Sequence, residues 1–125
     1  MATRSTIALE FADGTVEQIY CHWDGYLCGV GAELQGDYMD PFKLRDLIDA
    51  GDTSVIGEPY SQRGEVCPSR KYKDIAEYFA ECQQEEYDYI LRNIGGVATW
   101  FVRFYATEGE WVTFAEARLS EQEIA

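Results

Sequence analysis

Polar and apolar positions alternate twice within the first 23 residues. Thr6 to Phe11 is rich in β-formers and alternates. Val16 to Trp23 alternates again, with Val16, Gln18, Tyr20 and His22 on one face and Glu17, Ile19, Cys21 and Trp23 on the other. A period of two marks a half-buried strand. Ala12-Asp13-Gly14-Thr15 lies between the runs, and Asp-Gly is a strong two-residue hairpin signal. The pattern therefore predicts a β-hairpin whose second strand is ended by Asp24-Gly25. The period then changes. Leu27, Val30, Leu34 and Tyr38 recur at helical spacing, although Gly29, Gly31 and Gly36 weaken a helix there. Gly29 and Gly31 suit close packing on the sheet instead. Asp40-Pro41 is the clearest helix start, because Asp caps free amides and Pro fits the first helical position. Phe42, Leu44, Leu47 and Ile48 supply that helix's apolar stripe, and Gly51 fits a left-handed C-terminal position.

Residues 57–70 hold Gly57, Pro59, Gly64 and Pro68 and read as an exposed loop, with room for one irregular strand. Tyr72, Ile75, Ala76, Phe79 and Cys82 predict a third helix over 72–85. Glu86 to Ile94 alternates, Gly95-Gly96 turns, and Ala98 to Ala106 alternates again with Trp100, Val102 and Phe104 on one face. After Glu108-Gly109, Trp111 to Ala115 reads as a last strand, and 116–125 as a frayed helical or disordered tail. The order is ββ-αα-loop-α-βββ. No connection calls for a parallel crossover. The expectation is an α+β fold: one domain over 1–125, with an antiparallel sheet of about five strands and helices on one face.

Composition narrows the function classes. The chain has 125 residues, 46% hydrophobic and 14% aromatic, which argues against disorder. No apolar run approaches the ~18 residues of a membrane span, and no basic-then-apolar leader opens the sequence. Asp plus Glu number 23 against 10 Lys plus Arg, a net charge of −13. Such a surface repels DNA and RNA, so no direct nucleic-acid partner is expected. Cys21, Cys28, Cys67 and Cys82 are too widely spaced for paired zinc knuckles. Free thiols are expected, with no metal and no cofactor.

Three groups of residues could carry function. Tyr20-Cys21-His22-Trp23-Asp24-Gly25-Tyr26 concentrates a thiol, an imidazole and a carboxylate. Cys21 and His22 are adjacent in a strand and point to opposite faces, so they cannot form a nucleophile pair directly. Asp24 shares the His22 face and could orient the ring. Tyr20, His22, Asp24 and Tyr26 thus form a candidate ligand or partner corner, or a satisfied strand end. With one His and no nucleophile elbow, P-loop or HExxH, no catalytic residues are assigned. The second group is Asp74, Glu77, Glu81, Glu85 and Asp88, three or four residues apart. On a helix they would make one acidic stripe with carboxylates roughly 6 Å apart, close to two phosphate steps of a DNA strand. That is either a phosphate-mimicking, partner-binding surface or a solubilising face. The third group is aromatic: Tyr26, Tyr38, Tyr60, Tyr87 and Trp111 are candidate exposed anchors, and Arg63 and Arg70 accompany Tyr60 in the loop.

Thr3-Arg4-Ser5-Thr6-Ile7, Tyr20 to Tyr26, Gly29-Val30-Gly31, Asp40-Pro41 through Leu47-Ile48, and Gly51-Asp52 resemble a group of small acidic accessory proteins of tailed bacteriophages, whose function is unassigned. The resemblance covers residues 3 to 57. It implies a phage protein acting in the cytoplasm of an infected bacterium, where small acidic phage proteins include anti-CRISPR and antirestriction inhibitors. It assigns no catalytic role. The expected function is a non-enzymatic inhibitor, monomer or homodimer, that occupies the basic, nucleic-acid-binding surface of a host defence protein. The alternatives are a nucleotide-signal sponge built from His22, Asp24 and Tyr26 with Arg63 or Arg70, and a phage structural component.

Overall fold

The computed structural model describes residues 2–124, and the side chains of 2–121. Its centre is a six-stranded sheet in the order β3-β2-β1-β4-β5-β6. The expected hairpin is present: β1 (Ser5–Glu10) and β2 (Val16–Cys21) pair antiparallel from Ser5↔Cys21 to Glu10↔Val16. Asp13 secures the turn by accepting from the Thr15 amide at 3.0 Å, and Gly14 takes φ 90°.

The chain next forms a π-helical turn, Leu27–Gly31, which runs into α1 (Ala32–Asp37). α2 (Pro41–Asp49) starts as the sequence predicts. Asp40 accepts from the Phe42 amide at 2.9 Å, and Gly51 ends the segment at φ 82°. A 3-10 turn at Tyr60–Arg63 interrupts the exposed loop. The expected helix start at Tyr72 is displaced: Arg70–Tyr72 is β3, an edge strand pairing with Val16–Gln18. α3 is only Ile75–Glu81. β4 (Tyr87–Ile94) and β5 (Val97–Phe104) form a hairpin across Gly95-Gly96, both at positive φ. β6 (Val112–Thr113) closes the far edge.

Three expectations are corrected. The sheet is mixed: β1 runs parallel to β4, from Ser5↔Tyr87 to Leu9↔Leu91. Alternation along a strand reveals which face is buried but not the direction of its neighbour, so the long return from β2 to β4 was invisible to it. The helices lie on both faces. α1, α2 and α4 (Phe114–Ile124) cover one, where Leu44 and Ile48 of α2 join Ile7, Ile19, Tyr89 and Val102 of the sheet in the main core. α3 covers part of the other, where Tyr78 packs on Ala8, Val16 and Ile90. Consecutive buried residues from Tyr87 to Leu91 are the mark of a strand covered on both sides. Lastly, of the two readings of the tail the helical one holds, but the helix begins at Phe114, inside the expected last strand, and it is docked, with Ala117 fully buried in the main core; Ala125 lies outside the described residues.

Candidate functional site

The corner after β2 is built by backbone pairing. The amides of His22 and Trp23 donate to the carbonyls of Thr53 and Ser54, at 3.2 and 3.0 Å. Asp52 accepts from the Tyr20 amide at 2.8 Å while Arg70 bonds its carboxylate, which ties β2 to β3. Cys21 is fully buried, and burial pushes its thiol up to about 11. It faces the main core, whereas Tyr20 and His22 share the opposite side of the strand. The Tyr20 oxygen lies 2.7 Å from His22 Nδ1, and the imidazole packs edge-on against Trp23, centroids 4.8 Å apart.

The expected His22–Asp24 pair does not form. Asp24 sits at φ 59°, in the left-handed region, which turns the chain away. Its carboxylate accepts from the Tyr26 hydroxyl at 3.2 Å, and its carbonyl accepts from the Val30 amide at 2.8 Å. The corner is therefore two separate couples, Tyr20 with His22 and Asp24 with Tyr26. Only glycine fits around it. A Cβ on Gly25 would fall 2.8 Å from the Thr3 carbonyl oxygen, one on Gly29 would fall 2.3 Å from that of Asp24, and one on Gly31 would crowd Phe114 and Tyr89. The loop arginines do not join the corner: Arg70 is held by Asp52, and Arg63 lies over the Tyr60 ring at 4.8 Å.

The five acidic positions are scattered by the early end of α3. Asp74 caps the helix by accepting from the Glu77 amide at 2.8 Å, and Glu77 folds back on the Lys73 amide at 3.2 Å. Glu81 is the last helical residue and is exposed. Glu85 lies beyond the helix, half-buried and bonded by Gln83. Asp88 is inside the molecule, in β4, 1% exposed. There it accepts from Thr6 Oγ1 at 2.6 Å, from the Glu85 amide at 3.0 Å and from Arg103 Nη2 at 3.2 Å. A single stripe of five carboxylates is not present.

Parallel pairing of β1 with β4 assembles a feature that no sequence window contains. It brings Thr3 beside Glu86: the Arg4 amide donates to Glu86 Oε1 at 3.2 Å, and the Gly25 amide donates to the Thr3 carbonyl at 2.8 Å. Thr3, Tyr26, Glu86, Tyr87 and Tyr105 then line an open pocket of about 440 Å³. Of the expected aromatic anchors, Tyr26 is on the surface, while Tyr87 is 7% exposed and stacks on Phe104 at 5.0 Å. Tyr105, 66% exposed, was not singled out from the sequence, although it falls near the end of the Ala98 to Ala106 alternation; β5 stops at Phe104 and Tyr105 opens the turn that follows. A second, larger groove of about 620 Å³ lies at the opposite end of β1, between Phe11, Phe42 and Arg45.

Among the described residues no cluster of three or more His, Cys, Asp or Glu could hold a metal ion, the four cysteines are unpaired, and no helix is long and apolar enough to cross a membrane. The chain matches no protein-family model, no curated protein and no solved structure.

Proposed function

We propose that this chain is a phage-encoded inhibitor that docks on the basic, nucleic-acid-binding surface of a host defence protein, a CRISPR effector being one example, and so blocks nucleic-acid binding in the host cytoplasm. The observation that carries the reading is the unbalanced carboxylate surface. Of 23 Asp and Glu, only six have a Lys or Arg partner within 4 Å among the described residues. Asp24, Glu33, Asp37, Glu81 and Glu86 are all exposed. Desolvation, helped by the nearby Asp37, raises the Glu33 carboxyl above its ordinary value. Unmatched like charges are relieved by a cationic partner, and binding releases counterions, as it does when a basic protein binds a phosphate backbone. Asp74 and Asp88 are engaged internally, so the docking surface draws on the exposed carboxylates.

Binding to a purified CRISPR effector, in competition with its nucleic acid, tests the proposal. Affinity should fall steeply with added salt, since complementary fields set association rate and weaken on screening. Glu81→Lys together with Glu86→Lys should weaken binding by an order of magnitude or so. An affinity indifferent to salt and to these charge reversals, or binding that leaves nucleic acid in place, would refute it.

A further inference from the structure

The chain uses one motif repeatedly: an arginine laid on an aromatic ring and held there by a carboxylate. Arg103 sits over Trp111 at 4.6 Å and bonds Asp88 at 3.2 Å. Arg92 sits over Phe79 at 5.7 Å and bonds Glu10 at 3.0 Å. The pocket of Tyr26, Tyr87, Tyr105 and Glu86 holds the same two ingredients, aromatic rings and a carboxylate, and no Lys or Arg lines it.

From this juxtaposition the geometry points to a guanidinium-binding site: the three tyrosines and Glu86 receive an arginine side chain of a protein partner. Cation–π attraction to tyrosine faces is strongest where water is partly excluded. A guanidinium is planar, weakly hydrated and able to bond a carboxylate while it stacks, which a compact ammonium does less well.

The pocket is preorganised. Tyr26 is tethered by its hydroxyl, which donates to Asp24 at 3.2 Å. Its ring lies over Gly29, where a Cβ would fall 2.8 Å from the ring. The charge on Asp24 raises the Tyr26 phenol, and a phenol donating to an anion has a more electron-rich ring. Tyr87 is braced by Phe104, and Tyr105 stands edge-on to that same Phe104 at 84°. Burial pushes the Tyr87 phenol up to about 12, with Tyr105, Glu121 and Glu86 adding to the effect. The field in the pocket therefore favours a cation.

The site sharpens the docking proposal by naming the cation that enters, and it can be tested without a host protein. Amide NMR spectra of the full chain should be titrated with N-acetyl-arginine amide, N-acetyl-lysine amide and the neutral isostere N-acetyl-citrulline amide. The arginine compound should shift residues around Tyr26, Glu86 and Tyr105 saturably, with a dissociation constant on the order of 10 mM. Citrulline should bind about tenfold more weakly, because it keeps the shape and loses the charge. Tyr105→Leu and Glu86→Gln, both at exposed positions, should each weaken arginine binding several-fold while the circular dichroism spectrum stays unchanged. Equal binding of citrulline, shifts located elsewhere, no shift at all, or indifference to both variants would overturn the site. Arginine binding without competition against a host nucleic acid would leave this site standing and remove only the docking proposal; the reverse pair of results would remove only the site.

Discussion

Asp88 is a carboxylate held where burial opposes its charge. The Thr6 hydroxyl, the Glu85 amide and the Arg103 guanidinium surround it, yet desolvation dominates and raises its pKa above the ordinary aspartate value. The direction has a consequence for stability. A carboxyl whose folded value exceeds its unfolded value of about 3.9 stabilises the fold fully below that unfolded value, and the contribution is lost as pH rises through the folded value. Most paired carboxylates behave the other way, as Glu116 does, lowered by its bonds to Thr113. Urea unfolding of the native chain and of Asp88→Asn across a pH series isolates the effect. The stability of the native chain relative to the variant should decline as pH rises from about 4. A relative stability that climbs with pH would contradict the assignment. The spacing of the acids draws Asp88 into the helical stripe even though the alternation of Glu86 to Ile94 already sets it on a strand, because spacing alone cannot distinguish the end of a helix from the start of a strand. Its neighbours did carry the signal: Tyr87, Tyr89, Ile90 and Leu91 read as a strand, and a polar residue inside so apolar a strand requires a buried partner. That partner, Arg103, lies on the adjoining strand, in a register the sequence does not state.

At the scale of elements, the ends of helices decide what was legible. Asp40-Pro41 and Gly51 bound α2 as expected, because both capping signals are local and unopposed. α4 starts two residues ahead of the expected helical tail although its own signal is also local. Thr113 and Glu116 form a reciprocal capping box: Thr113 Oγ1 donates to Glu116 Oε1 at 2.8 Å, the Thr113 amide donates to the same oxygen at 3.1 Å, and the Glu116 amide donates back to Thr113 Oγ1 at 3.3 Å. The alternation of Trp111 to Ala115 masked it, since the strand reading was extended through the cap. Thr113→Ala should cost about 1 kcal/mol in chemical denaturation and reduce the helical circular dichroism signal. Thr113→Ser, which keeps the hydroxyl, should recover most of the loss. Equal loss in both variants would assign the effect to the β6 ladder rather than to the cap. The candidate site shows the same division. The Tyr20 to Tyr26 corner stood out in the sequence because it is contiguous. The tyrosine pocket joins residues 3, 26, 86, 87 and 105, and nothing local encodes the β1–β4 pairing that gathers them.

At the scale of the whole molecule, two electrostatic effects of opposite sign compete. Among the described residues six ion pairs stabilise the fold, and salt weakens the exposed ones. Arg45–Asp49, Lys71–Glu17 and Lys73–Glu77 each have a cation more than half exposed, and exposed pairs contribute only about 0–1 kcal/mol apiece. Buried Asp88–Arg103 is little screened. Against these stands a net charge of −13 confined to 125 residues. Like charges that cannot move apart without unfolding raise the energy of the compact state, and counterions relieve them. The excess of 13 negative charges outweighs the few exposed pairs, so added salt should stabilise the chain. Scanning calorimetry over a sodium chloride series should show Tm rising by several degrees, with most of the rise complete by about 0.15 M, where the screening length has fallen to about 8 Å. A continued linear rise into molar salt would instead indicate exclusion of salt from apolar surface. A fall in Tm would mean that the carboxylates are already matched within the fold, and a molecule whose charges are matched internally has no electrostatic reason to seek a cationic partner.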